Sequence, residues 1–207
     1  MTKDGYPLSI MSKSKSASRA DNQQERLERL VKIGWITGFV DGEGCFSISI
    51  FKQIDRKEKT RIRRGYTTGY QVFHEFSVTQ GDKSKASLEE LQNFFGVGRL
   101  YINKRYDNHK EHLWRYVVRK KEELLDVIIP FFKTYSLRTS KKLDFLKFVE
   151  CLKIIDDRDH LSKEGIIKIA EIATTMNRQK PRESLIRILR DHTPKPVVNG
   201  QEMVRTA

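Results

Sequence analysis

Apolar residues follow a helical period from Gln23 onward. Counted from Leu27, they fall at i, i+3, i+4, i+8 and i+12, which is the spacing of one helix face. The period ends in a stretch with glycines and two acids, from Asp41 to Gly44, so a helix is predicted to stop there. Residues 1–22 are rich in Ser and Lys and lack an apolar period, and we interpret them as a flexible N-terminal arm.

The period then changes to two, which is typical of strands. Phe46, Ile48 and Ile50 alternate with Ser47 and Ser49, and residues 70–79 repeat this alternation. Residues 99–105 and 112–119 alternate in the same way. Each run predicts a strand with one covered face and one open face.

Helical spacing returns between and after these strands. It predicts a helix that ends at the "GVG" of residues 96–98, a helix that ends just beyond Pro130, a helix around Phe148, and a last helix capped by Ser162. The fold class is therefore α+β, with the order αββαββα, a four-stranded antiparallel sheet and helices on one face. A single domain is predicted over residues 23–192, followed by a tail over 193–207.

Composition makes nucleic acid the expected partner. The chain has 207 residues, of which 38% are hydrophobic, enough for one sizeable core or at most two small ones. Forty Lys and Arg against 27 Asp and Glu give a net charge of +13, which favours a polyanion, although a well-solvated basic protein is the alternative. Cys45 and Cys151 lie in no zinc spacing, and we expect reduced thiols in an intracellular protein with no secretory signal and no membrane span.

Positive charge is concentrated between the first two strands. Residues 52–64, "KQIDRKEKTRIRR", hold seven bases and two acids, a net of +5. A basic hairpin connection of this kind can follow phosphates, and Arg61, Arg63 and Arg64 are its candidate contacts.

The open face of the sheet carries groups that can read base edges in a groove. An ordinary solvated sheet face is the alternative interpretation. Arg115 alternates with Trp114 and Tyr116, and we expect Arg115 to face DNA and the two aromatic residues to face away. The candidate DNA contacts on this face are Ser47, Ser49, Gln53, Gln71, Ser77, Tyr101, Asn103, Arg105 and Arg115.

Three glycines form a stripe on the first helix. Gly34, Gly38 and Gly42 recur every four residues, and each costs roughly 0.5–1 kcal/mol relative to Ala in a helix interior. Such a stripe allows a second backbone to pack closely, and the same helix of another subunit would place a two-fold axis along it. Glu43 would then lie near that axis in both copies. Two carboxylates held together need cations, and their oxygens suit Mg²⁺.

The stretch "ITGFVDGEG", residues 36–44, resembles the LAGLIDADG motif of homing endonucleases. Four further segments resemble family segments in family order: "FSVTQ" at 76–80, "FFGVG" at 94–98, "IIPFFKTYSLRTSKKLDF" at 128–145 and "HLSKEGIIKI" at 160–169. The motif occurs once, and family members with one copy act as homodimers.

The resemblance implies roles for individual residues. Glu43 and the backbone carbonyl of Gly42 would bind the catalytic Mg²⁺, for which Mn²⁺ is a substitute. Gln80 would order water, and Lys141 or Lys142 would stabilise charge on the scissile phosphate, with Lys141 favoured. Asp41 would be structural and bind backbone at the helix end. A surface acid, a strand-end amide and a solvated lysine pair are the plain alternatives.

The implied function is sequence-specific cleavage of double-stranded DNA. A member would hydrolyse phosphodiesters across the minor groove of a long pseudo-palindromic site and leave short 3′ overhangs. An intron maturase that binds RNA, or a non-catalytic DNA-binding protein derived from the fold, are the alternatives. The compartment stays open between a chloroplast, a mitochondrion and a bacterial cytoplasm.

Overall fold

The computed structural model describes residues 19–53, 56–57, 60, 62–63, 65–66, 68–104, 111–177 and 183–191. The chain divides into two units, residues 1–35 and residues 36–207. Most of the predicted arm and all of the predicted tail over 193–207 lie outside the described residues.

The first helix, α1, spans Arg19–Glu43 and runs through the boundary between the two units. It ends where the sequence predicts, but it begins at Arg19 instead of Gln23. The four additional residues are polar or small, so no apolar period marks them. Within the first unit, Leu27, Leu30 and Val31 are more than half exposed.

The second unit is built on a four-stranded antiparallel sheet, as the sequence predicts. The order of its strands is β1-β4-β6-β5. A separate two-stranded ribbon, β2 with β3, lies inside the basic connection. The strands are β1 Gly44–Lys52, β2 Arg56–Lys57, β3 Ile62–Arg63, β4 Tyr70–Gly81, β5 Arg99–Asn103 and β6 Leu113–Val118.

Six further helices follow in the described chain, and the last of them has no counterpart in the prediction. They are α2 Lys85–Phe95, α3 Lys121–Glu123, α4 Ile129–Thr134, α5 Lys141–Asp156, α6 Lys163–Thr174 and α7 Glu183–Asp191. Ser162 caps α6 as predicted, because its hydroxyl accepts a hydrogen bond from the N–H of Gly165 at 3.0 Å. On α7, Leu189 is buried with Ile166 and Ala170 of α6.

A π-helical turn over Leu124–Ile128 joins α3 to α4. Pro130 lies in the first turn of α4, and it has no N–H to donate to the carbonyl of Asp126. Its ring would also crowd that carbonyl in a regular helix. The wider turn removes the clash and keeps the segment helical to Thr134.

The core lies between the sheet and the helices and is rich in aromatic rings. Phe46 of β1 stacks on Phe76 of β4 with ring centroids 5.0 Å apart, and Phe132, Phe145 and Phe148 pack around Phe46 from the helices. The predicted covered face of β1 is therefore confirmed. The other face of the sheet carries Ser47 and Ser49, which are half-buried.

Candidate active site

Asp41 fastens the end of α1 to the segment that precedes α5. Its carboxylate accepts hydrogen bonds from the N–H of Arg138 at 2.9 Å, from the N–H of Thr139 at 3.1 Å, and from the hydroxyl of Thr139 at 2.7 Å. Burial opposes ionisation, but these hydrogen bonds and the charge of Lys141 together hold the pKa of Asp41 below its usual value. The predicted bonding of Asp41 to backbone is present, at residues distant in sequence.

The hydrogen bonds of Asp41 place Lys141 next to the end of the motif. It is the first residue of α5, and its ammonium donates to the carbonyl of Gly42 at 3.4 Å and to the carbonyl of Gly44. Lys142 is exposed, and among the described contacts its side chain has no such acceptor. The structure therefore brings Lys141, and not Lys142, to the helix end that holds Glu43.

Glu43 is the last residue of α1 and is exposed. The chain turns into β1 at once because Gly44 packs on Val40, where an added Cβ would lie 2.6 Å from the Val40 carbonyl oxygen. Within the part of the chain that the structure describes, the Glu43 carboxylate has no hydrogen-bond donor or cation as a partner. It is therefore available to a ligand, at the negative end of a helix dipole that also favours a cation.

The potential metal ligands at this helix end are oxygen atoms, which fit a hard cation better than a soft one. The Glu43 carboxylate and the Gly42 carbonyl are oxygen ligands, as Mg²⁺ prefers. The described residues contain no group of three or more His, Cys, Asp or Glu that could cage a metal. In proteins, Mg²⁺ is commonly held by one or two carboxylates, while water and phosphate supply its remaining ligands.

Gln80 lies near the end of β4, opposite Trp114 of β6. It is half-buried. Within the described residues, no hydrogen bond joins it to Glu43 or to Lys141. Its role in ordering water stays a prediction from the resemblance.

A groove of about 600 Å³ lies beside Lys141 and is lined in part by residues of β1. Ser47 and Ser49 line it, together with Asn177. Asn177 adopts a positive φ of 51°, and its amide donates to the Phe46 carbonyl at 3.0 Å. Two predicted DNA contacts, Ser47 and Ser49, therefore share one groove with Lys141.

The other predicted contacts differ in how far they reach solvent. Tyr101 is 42% exposed and Asn103 is also exposed, while Gln71 is half-buried. The side-chain oxygen of Gln53 is buried without a partner in the described chain, so Gln53 does not present it to a groove in this conformation. Arg61, Arg64 and Arg105 lie outside the described residues, and Arg63 is described only as part of β3.

Ser77 corrects the predicted set of base contacts. It lies on the open face but is only 3% exposed, because Arg115 covers it and donates to its hydroxyl at 3.1 Å. Arg115 does point to the open face, and Tyr116 is buried on the other side, as predicted. A direct contact between Ser77 and a base is therefore not supported.

The open face also holds charged residues that the sequence patterns did not single out. Glu75, 5% exposed, accepts from Arg115 at 2.5 Å and from Arg119 at 2.7 Å. An acid inside a strand with polar neighbours was the available signal. The partners could not be found from it, because they depend on how β4 and β6 pair.

The three glycines of α1 leave open space. Gly34, Gly38 and Gly42 are exposed, and a Cβ added at any of them would meet no atom of the chain within 4 Å. Nothing inside the described chain requires glycine at these positions.

The family model for the LAGLIDADG endonuclease matches residues 36–152, which include α1 from Ile36, the sheet and most of α5. The chain belongs to the LAGLIDADG endonuclease family. The resemblance stated from the motif residues is therefore confirmed.

Two curated relatives illustrate the range of the family. Homing endonuclease I-ApeII of Aeropyrum pernix is 30% identical over 158 residues, which cover 76% of this chain and 72% of that protein. "Probable intron-encoded endonuclease 2" of Neurospora crassa is 30% identical over 142 residues, or 69% of this chain. The match spans only 26% of the length of the Neurospora protein.

Solved LAGLIDADG structures have the same fold. The homing endonuclease I-TnaI aligns with a TM-score of 0.60 at 36% identity, over 77% of this chain and 96% of that chain. I-SmaMI, bound to an uncleaved DNA target in the presence of calcium ions, aligns with a TM-score of 0.59 at 30% identity. That alignment covers 82% of this chain and 53% of I-SmaMI. In the described part of our chain, no helix is long and apolar enough to cross a membrane.

Proposed function

We propose that this LAGLIDADG chain is a site-specific DNA endonuclease that acts as a homodimer and makes a staggered double-strand break. The observation that carries the proposal is the meeting of Lys141 with the carbonyls of Gly42 and Gly44, on either side of Glu43. A free carboxylate and an ammonium are thereby held at one helix end. DNA as the substrate is supported by the DNA-bound neighbour I-SmaMI and by the net charge of +13.

The chemistry assigned to these residues is hydrolysis of a phosphodiester. Glu43 and the Gly42 carbonyl would hold Mg²⁺, or Mn²⁺ in its place, which would polarise the phosphate and help to form hydroxide. Lys141 would turn from the two carbonyls to the phosphate and offset the charge that develops on its oxygens. Gln80 would hold water near the scissile bond.

The single motif and the glycine stripe support the proposed dimer. One motif supplies one Glu43, and a cut in both strands needs two. The exposed stripe of Gly34, Gly38 and Gly42 allows a second helix to approach closely. Both DNA strands would then meet one copy of Glu43 each.

The relatives bear on where such a protein works. Intron-encoded relatives occur in fungi such as Neurospora crassa, and I-ApeII comes from Aeropyrum pernix. An organelle and a prokaryotic cytoplasm are both compatible with this pair. The maturase alternative has no observation of its own in the described residues.

Glu43→Gln tests the proposal. Cleaved sites are first selected by the wild-type chain from a random duplex library in Mg²⁺, and the variant is then assayed on the selected duplex. Gln keeps the shape of Glu43 but loses the charge that binds a cation, so cleavage should disappear while binding in Ca²⁺ survives. Glu150→Gln, at an exposed position on α5, is the matched control and should cleave normally.

Two results would count against the proposal. Retained turnover in Glu43→Gln would show that the active site lies elsewhere. A wild-type chain that cleaves no duplex but binds structured RNA tightly would favour the maturase alternative.

A further inference from the structure

Glu75 is a nearly buried acid in the middle of a face that we propose to contact a polyanion. Its side chain is 6% exposed, and it lies on β4, one of the two inner strands of the sheet. A carboxylate there would repel phosphate unless cations neutralised it. Arg115 and Arg119 do so from β6 and the residue just after it, through one carboxylate oxygen each.

The two arginines use their donors differently. One terminal nitrogen of Arg115, Nη2, donates hydrogen bonds to both Glu75 and Ser77. Arg119 donates a hydrogen bond to Glu75 from Nε alone. Among the described residues its terminal nitrogens have no acceptor, and its side chain is 44% exposed.

Two aromatic rings also contact the guanidinium of Arg119. Its guanidinium carbon lies 5.2 Å from the ring centre of Phe73 and 5.4 Å from that of Tyr101. Both rings lie on the open face of the sheet. Three contacts, one from Glu75 and two from rings, therefore hold the guanidinium in place, while its terminal nitrogens have no acceptor among the described residues.

A guanidinium in this state suits a ligand that offers two acceptors side by side. Two parallel N–H groups match the O6 and N7 acceptors of guanine in the major groove. A phosphate can also accept two hydrogen bonds from a guanidinium, but such a contact carries no sequence information, so base preference distinguishes the two ligands. We propose that Arg119 reads a guanine in each half of the DNA site, and that Glu75 is the positioning residue that holds it in the reading geometry.

This inference rests on the proposed function, because it requires duplex DNA on the open face of the sheet. It adds a specificity-determining residue that the DNA contacts predicted from the sequence do not contain. It also explains why an acid is placed where the partner is a polyanion. A purely structural ion pair would stabilise the fold and leave base preference unchanged.

The test is a binding profile in Ca²⁺ over all single-base variants of a duplex selected by the wild-type chain from a random library. Arg119→Lys keeps the charge but loses the paired donors. Its preference for guanine should fall about 10- to 100-fold at one symmetric pair of positions, and the other positions should keep their preferences. Glu75→Gln should weaken the same preference without weakening overall binding, because it removes a negative charge from the face.

Lys120→Gln is the matched control. Lys120 is the neighbour of Arg119, is 68% exposed and pairs with Glu123. Removing its charge should change affinity for all duplexes alike and leave the profile intact. Melting temperatures of all variants show whether any of them has lost its fold, and Arg119→Lys gives a reading that does not depend on Glu75→Gln.

The possible outcomes distinguish a failure of the Arg119 assignment from a failure of the proposed endonuclease function. A wild-type chain that binds no duplex overturns both. A wild-type chain that binds duplex DNA, with an Arg119→Lys variant that keeps every guanine preference, overturns only the assignment of Arg119. A Glu75→Gln variant with an unchanged profile overturns the positioning role of Glu75.

Discussion

The hydroxyl of Thr139 donates to the carboxylate of Asp41 at 2.7 Å, across a sequence separation of 98 residues. Two backbone N–H groups, of Arg138 and Thr139, donate to the same carboxylate. Two residues later, Lys141 reaches the carbonyls of Gly42 and Gly44. One structural acid therefore determines where the proposed phosphate-binding lysine stands.

Removing the hydrogen bonds between Asp41 and the segment before α5 should lower both the stability of the fold and the cleavage rate. Asp41→Ala leaves two N–H groups and a hydroxyl without their acceptor, and we expect a loss of about 1–3 kcal/mol in the free energy of unfolding. Urea denaturation measures it. A double-mutant cycle with Thr139→Val should give a coupling energy between the two sites, and independent effects would contradict the contact. Asp157→Ala, at an exposed position after α5, is the control and should change stability by less than about 0.5 kcal/mol.

Stability should depend on pH through the same carboxylate. Burial opposes its charge, but hydrogen bonds from Thr139 and Arg138 and the charge of Lys141 keep the pKa of Asp41 below its unfolded value of about 3.9. The stabilisation is thus complete above that unfolded pKa and is lost as the pH falls through the folded pKa. Urea midpoints measured between about pH 5 and pH 2 should fall less steeply for Asp41→Asn than for the wild type. Parallel curves would contradict the assignment.

The fold was predictable from the sequence where it depends on local periodicity. The alternation around Phe46 and the cap at Ser162 are both confirmed, because each is determined by neighbours a few residues away. The partners of Asp41 and Glu75 were not predictable in this way. They lie on segments whose approach depends on strand pairing and on the packing of α5, and neither leaves a period in the sequence. The motif resemblance supplied Glu43 and Lys141, and the geometry adds why Lys141 is nearer than Lys142.

Lys141 and Lys142 are a natural matched pair. Only Lys141 contacts the helix end of the motif among the described residues, so Lys141→Ala should reduce the cleavage rate by about 10²–10³. Lys142→Ala removes the same charge one residue later and should cleave within a few-fold of the wild type. Single-turnover cleavage of the selected duplex in Mg²⁺ measures both rates. A larger loss in Lys142→Ala would reassign the phosphate contact.

Gly38→Leu should prevent dimerisation without harming the subunit. A Cβ added at Gly38 meets no atom of the described chain within 4 Å, and Leu is the better helix former by roughly 0.5–1 kcal/mol. Any loss of assembly must therefore come from a partner helix. Sedimentation should show a monomer that does not cleave, while circular dichroism shows intact helices. A dimeric variant with normal cleavage would place the subunit contact elsewhere, and Gly38→Ala should have the smaller effect expected of a single methyl group.

A dimer of this chain should recognise a long, partly palindromic site. Two copies of one sheet related by a two-fold axis must meet two half-sites related by the same axis, and such a footprint covers about two helical turns, or ~20 base pairs.

Asn103 is exposed at the end of β5 on the open face, where its amide can reach a base edge. Asn103→Ala should therefore change the preference at one symmetric pair of positions, by about 1–3 kcal/mol, and leave the rest of the profile unchanged. Asn93→Ala removes the same chemistry from an exposed position on α2, on the helix side of the sheet, and should alter no position. A cleavage profile over all single-base variants of the site measures both. A site of about six base pairs, or halves without a two-fold relation, would contradict the dimer together with the placement of Asn103.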